Sequence, residues 1–350
     1  MSDGGRPAST ANPTVVFPEP GRIALEERPV PSPGPGEVLI RSRVSLISPG
    51  TELTVLDGGD EVGEEWRKLQ RYPYVAGYSN VGDVVAAGDG AGQAWLGCRV
   101  GSHTPHAAFT VCAASELRPV PPAVSDEAAA LCTLAEVASN GLRRAALTWG
   151  ESVAVVGLGL LGQLSARLAR LAGARPIFGI DMAPERLLRL PQDDAAYVPL
   201  AGEAGALAAA VRDRRPGGAL SGAAGVDLVI EASGNPGALP GAARLLRPQG
   251  RLLILSSPSG PTAYDFHDLC NRNSLTLVGA HYFSHPAPAT PANPWSAARH
   301  AELFLERVAA GDLRVDELVT HRFPARQALD AYALLRGRRA ATLGMVLDWR

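Results

Sequence analysis

The run Val153-Ala154-Val155-Val156 leads without interruption into Gly157-Leu158-Gly159-Leu160-Leu161-Gly162. This join of a buried-type strand, a glycine fingerprint and a helix start constrains the chain more than any other segment. Gly157 permits the tight turn, Gly159 lets the backbone approach a pyrophosphate, and Gly162 lets the helix pack close to the strand. Leu160 and Leu161 open a helix whose free N–H groups and positive dipole end favour phosphate. The next strand, Ile177-Phe178-Gly179-Ile180, ends at Asp181. An acid about 20 residues after the glycines is placed to accept the hydroxyls of an adenosine ribose. Its carboxylate repels a 2′-phosphate and so favours NAD over NADP, while Arg186, one helical turn on, tempers that preference. The ends of later strands add Ala232, Ser233, Ser256 and Ala280 to the candidate cofactor residues.

Around this motif the chain alternates strand and helix. Strands are expected at 152–156, 176–180, 226–230, 251–255 and 275–278, with helices at 160–172, 184–190 and 240–246. The Ala/Gly-rich stretch 202–225 is expected to hold one more helix and a loop. Such alternation means an α/β fold, a doubly wound parallel sheet of the Rossmann kind covered on both faces. The first third instead reads as β-rich, with short apolar runs at 15–17, 38–40, 81–87 and 109–111 between Pro/Gly turns. That pattern predicts a small, irregular antiparallel barrel or sandwich. Helices near 62–71, 126–146, 298–309 and 325–335 and a closing strand at 344–347 complete the reading.

Composition narrows the function. A chain of 350 residues is too long for one ordinary core and implies two domains. A net charge of −2 argues against nucleic acid or a membrane surface as partner, and no run of about 18 apolar residues occurs. Residues 1–13 are small and polar without an apolar signal core, so they are expected to be a disordered tail of a cytoplasmic protein. Cys98, Cys112, Cys132 and Cys270 form no CxxC, which fits free thiols in a reducing compartment. The single lysine, Lys68, sits in a charged stretch and argues against Schiff-base chemistry. No charged cluster in the sequence marks a phosphate or carboxylate on a substrate.

Several strings carry a resemblance: Gly36-Glu37-Val38-Leu39-Ile40, Ile47-Ser48-Pro49-Gly50-Thr51-Glu52-Leu53, Gly77-Tyr78-Ser79-Asn80-Val81-Gly82, and Val319-Thr320-His321-Arg322-Phe323-Pro324. With the glycine motif, they make nearly the whole chain resemble the medium-chain dehydrogenase/reductase superfamily. The Ser-Pro-Gly-Thr-Glu and Gly-Tyr-Ser-Asn-Val-Gly strings are similar to the branch holding bacteriochlorophyllide hydroxyethyl dehydrogenases and secondary-metabolism alcohol dehydrogenases. The resemblance implies a GroES-like catalytic domain at 14–146 and 285–350, a Rossmann domain at 147–284, and a homodimer. It also exposes a departure. Zinc enzymes of the superfamily place metal ligands where this chain has Pro49, Tyr78 and a residue near Thr133, none able to supply a thiolate or imidazole. Cys98 with His103 and His106 offers a metal site in principle, but loop histidines without metal are the stronger reading. No catalytic zinc is therefore expected.

Without zinc, other groups must polarise a carbonyl or accept an alcohol proton. The candidates are Thr51, at the hydroxyl position that relays protons in the zinc relatives, and Tyr78, at a former ligand position. Glu52 and Glu136 are candidate bases, His281 a residue at the nicotinamide side, and Ser48 and Asn140 weaker candidates. Each has a plainer role open to it, a turn cap, a packed ring or a surface carboxylate. Three functions stay open: an NAD(P)-dependent alcohol/ketone oxidoreductase acting on a small, cyclic secondary metabolite, a zinc-free enone or quinone reductase, and a non-catalytic dinucleotide-binding protein.

Overall fold

A computed structural model describes residues 11–59, 62–214 and 225–350, organised as two compact units. One unit takes residues 1–60, 64–133 and 301–350; the other takes 61–63 and 134–300.

The second unit is built on a six-stranded, all-parallel sheet. Its order is Tyr197–Ala201, Ile177–Asp181, Val153–Val156, Val226–Glu231, Leu246–Ile254, Thr276–Gly279. Side chains alternate across each strand. Val153 and Val155 enter one core with Ile177, Leu228 and Leu253, while Ala154 and Val156 enter the opposite core with Phe178, Val229 and Leu252. The helix Leu160–Leu171 covers the first face through Ala166 and Ala169; Leu239–Ala243 and Ala208–Arg214 cover the second. Each fully buried Val or Leu contributes about 1.5–3 kcal/mol. Strand order reverses on either side of Val153–Val156, so the crevice beyond its carboxyl end is the topological switch point where such sheets bind ligands.

The first unit joins distant parts of the chain. Glu37–Ile47 pairs antiparallel with Asn80–Ala87, Phe109–Ala113 and the C-terminal strand Gly344–Asp348. A three-stranded sheet forms from Ala24–Pro29, Ala11–Phe17 and Tyr74–Val75. Phe17, Ile47, Leu56, Tyr332 and Leu347 meet in its core.

Several expectations are corrected. The tail was expected to reach Pro13, but a strand starts at Ala11; Asn12 fixes it by donating to the Phe109 carbonyl (2.9 Å) and accepting from the Phe109 N–H (2.7 Å). The unit boundary falls at 133/134 instead of 146/147, because the helix Cys132–Arg144 packs Leu142 into the parallel-sheet core and lays Gly141 against Leu255. It falls at 300/301 instead of 284/285, because His285 and Trp295 attach to His300 and Arg143. The strand Tyr197–Ala201 was missed: Pro199 interrupts the pattern, and the sheet tolerates it because this is an edge strand. In the 202–225 stretch the expected helix is Ala208–Arg214, and 215–224 lie outside the described residues.

Candidate active site

In the parallel-sheet unit the glycine motif forms a cradle. Gly162 lies where a Cβ would meet the Gly157 carbonyl oxygen at 1.9 Å, so any side chain there would push the helix off the strand. Gly157 has φ +89° and presses against Ser233. Gly159 faces open space, with nothing within 4 Å of where a Cβ would sit, as the approach of a pyrophosphate requires. It is also the N-cap of Leu160–Leu171, and with no side chain to cap them the first-turn N–H groups of Leu160 and Leu161 point at that space.

Asp181 ends the second strand and is nearly buried. Its carboxylate accepts from Leu158 N–H (2.7 Å) and Ala183 N–H (2.8 Å), and Arg186 Nη1 lies 3.4 Å from it. The acid thus ties the glycine loop to the strand end, a role the sequence reading did not assign. Ala232 donates its N–H to Val156, and Ala280 donates to Ile254, so both extend the sheet ends bordering the crevice. Ser233 and Ser256 share one partner, the fully buried Glu231 at the end of its strand. Its carboxylate accepts from the Ser233 N–H (2.7 Å) and from both serine hydroxyls. The donor-rich loop, open glycine and fixed acid fit a dinucleotide.

His281 belongs to this unit but is exposed. Its Nδ1 accepts from the Phe283 N–H (3.4 Å), and its carbonyl accepts from Asn140 Nδ2 (3.2 Å). Its ring is thus tied to its own turn.

In the β-rich unit, the helix Pro49–Asp57 begins with Ser48 as N-cap and Pro49 in its first position. Ser48 and Thr51 are three residues apart, so their hydroxyls share one face of the first turn. Tyr78 meets that face: its phenol donates to Ser48 Oγ and lies 3.2 Å from Thr51 Oγ1. Gly77, at φ +93°, is what brings Tyr78 there, because a Cβ at this position would strike the His106 ring at 2.6 Å. Burial pushes the Tyr78 phenol above its ordinary value, opposed by the bonds to Ser48 and Thr51 and reinforced by Glu52, so it stays protonated near neutrality.

Glu52 is not placed as a base. It is fully buried and already engaged: Oε1 accepts from Ser48 N–H (2.8 Å), and Oε2 accepts from Tyr332 OH and stands 3.2 Å from His106 Nε2. His106 Nδ1 faces Ser45 Oγ (2.8 Å), which also accepts from Trp349 Nε1 (2.8 Å). The residues nearest the resemblance's zinc positions do not fit that ion. Pro49 has no donor atom, Tyr78 is a raised-pKa phenol bonded to Ser48, and Thr133 Oγ1 accepts from Ser79 (3.1 Å). Among the described residues no three His, Cys, Asp or Glu side chains come together to hold a metal, and His106 of the Cys98 set is committed to the Glu52 network. Glu136 is buried as well.

A dinucleotide cradle on a doubly wound sheet, in a chain whose other unit is β-rich, defines a nicotinamide-dependent oxidoreductase class, and the comparisons agree. Residues 161–297 match the family described as zinc-binding dehydrogenase. The erythritol/L-threitol dehydrogenase of Mycolicibacterium smegmatis is 26% identical, covering 89% of this chain and 90% of its own. An alcohol dehydrogenase from Thermus sp. ATN1 is 25% identical with a TM-score of 0.75, over 97% of this chain and 100% of its own. An alcohol dehydrogenase of Escherichia coli CFT073, solved with NADH, shares the fold at 18% identity and a TM-score of 0.76, over 97% and 100%. The chain belongs to the medium-chain dehydrogenase/reductase superfamily and is an NAD(P)-dependent oxidoreductase.

Proposed function

We propose that the enzyme interconverts a small secondary alcohol and its ketone with NAD(H), using hydroxyl groups in place of a catalytic zinc. The observation that carries this reading is the Tyr78 phenol seated on Ser48 and Thr51. A protonated phenol on a two-hydroxyl chain donates a proton to the oxygen of a ketone as it becomes an alcohol, and Ser48 and Thr51 lead a replacement proton to it. The bound nicotinamide supplies or removes the hydride. Relatives active on alcohols support this reading over the non-catalytic alternative. A cyclic substrate is the part that rests on the sequence resemblance alone.

The test offers the purified, metal-analysed protein NADH with parallel panels of cyclic ketones and conjugated enones, with products identified by mass. Ketone reduction without stoichiometric zinc supports the proposal. Stoichiometric zinc, or reduction only of the enone carbon–carbon bond, defeats it.

NAD is proposed over NADP because the Asp181 carboxylate is held rigidly by two backbone donors and only partly offset by Arg186. NADH is therefore expected to give the higher kcat/KM. The Asp181→Ser variant should narrow the NADH/NADPH ratio by about tenfold, equivalent to about 1.4 kcal/mol. It should also lose about 1–3 kcal/mol of stability, because a buried N–H loses its acceptor. An unchanged ratio in a folded variant would show that the acid only braces the loop.

A further inference from the structure

In the parallel-sheet unit two arginines converge on one indole. The Arg143 guanidinium carbon sits 3.1 Å from the Trp295 ring centroid and that of Arg299 sits 3.9 Å from it, both within cation–π range. The ring of His300 stacks on the same indole at 5.4 Å and 16°. Arg143 is pinned in two ways: by the indole, and by Nε–H donation to His300 Nε2 at 3.1 Å. That bond makes His300 Nε2 an acceptor, so the neutral ring carries its proton on Nδ1 and donates it to His285 Nε2 (3.1 Å). His285 in turn donates from Nδ1 to the Tyr282 carbonyl (2.7 Å). Burial, then His285 and the two arginines, push His300 down to about 3, so its ring stays uncharged at neutral pH.

The outcome is a guanidinium fixed in plane and position with its terminal N–H edge uncommitted. The Arg143 guanidinium makes no other hydrogen bond among the described residues, and the Arg299 guanidinium adds only a 3.4 Å bond from Nη1 to the Pro294 carbonyl. No carboxylate among the described residues pairs with either arginine, so two like charges are held together on one ring. We propose that Arg143 and Arg299, braced by Trp295 and His300, form a binding site for a small oxyanion, a phosphate or carboxylate group of a soluble molecule. A planar fork held ready loses little entropy on closing over two oxygens, and the anion relieves the repulsion between the cations. None of these residues is one of the glycine-cradle residues Gly157, Gly159, Gly162 or Asp181.

The test is calorimetric titration of the full chain with inorganic phosphate and, separately, with succinate. Saturable binding of at least one is expected, and which one binds tells phosphate from carboxylate chemistry. Arg143→Gln and Arg299→Gln should each weaken it by about tenfold or more, because charge-assisted fork bonds are among the strong ones. Arg143→Lys, which keeps the charge but loses the fork, should weaken it too and serves if the glutamine variant does not fold. Arg144→Gln should bind as the wild type does, since Arg144 is exposed and bonded to the Gly279 carbonyl instead. No binding of either anion, an unchanged Kd in folded Arg143 and Arg299 variants, or an equal loss in Arg144→Gln would overturn the proposal.

Discussion

Tyr78→Phe is expected to lower kcat for ketone reduction by about 10²- to 10⁴-fold, the usual contribution of a positioned proton donor. The ring stays, so packing is little disturbed, and the loss is confined to one hydroxyl. KM for NADH should not change, because the cradle residues Gly157, Gly159 and Asp181 belong to the other unit. Ser48→Ala and Thr51→Val should each cost less, since each leaves Tyr78 one of its two hydroxyl partners. The pH profile adds a second readout. Because burial raises the Tyr78 phenol above its ordinary value of about 10, its donor form persists at all lower pH, and the reductive rate should show no alkaline loss from this group below about pH 10. A Tyr78→Phe enzyme within about threefold of wild type, set against that range of effects, would remove the phenol from the chemistry.

What could be read in the chain divides by how local the information is. The cradle was legible because strand, glycines, helix start and acid lie within one short βαβ stretch, where each residue type has a steric or electrostatic reason. Thr51 and Tyr78 were legible only through the resemblance; that they meet depends on Gly77 passing over His106, a close approach no period announces. Glu52 was misread because a carboxylate beside a candidate hydroxyl resembles a base. Its true partners, His106 and Tyr332, lie 54 and 280 positions away. The arginine–tryptophan cluster was invisible for the same reason: Arg143 and His300 stand 157 positions apart, and isolated arginines in an arginine-rich chain carry no pattern. The missed strand Tyr197–Ala201 fails differently, since its proline is disallowed at the centre of a sheet and harmless at the edge, and only the strand order says which applies.

Glu52→Gln should destabilise the β-rich unit by about 3–5 kcal/mol, the range for breaking a buried charged network by removing one partner. The carboxylate has no solvent exposure and takes hydrogen bonds on both oxygens. An amide offers one acceptor oxygen, so either the Ser48 N–H or the Tyr332 hydroxyl and His106 would be left facing an NH₂ group. Tyr332 feels the same charge: burial, then Glu52, raise its phenol well above the ordinary value, which keeps it a donor. Stability tied to that neutral phenol is present below about pH 10 and declines as pH rises beyond it, because only the unfolded chain ionises there readily. The variant also separates support from chemistry. If Glu52 acts by holding the Ser48 backbone, and with it the hydroxyl that Tyr78 meets, then below its lowered melting point Glu52→Gln should keep an activity well above that of Tyr78→Phe, with the same pH profile as wild type. Loss of activity equal to Tyr78→Phe in a fully folded Glu52→Gln protein would mean that the buried carboxylate takes part in proton transfer after all. Unchanged denaturant midpoints would mean that the Ser45–His106–Glu52–Tyr332 chain does not hold the unit together.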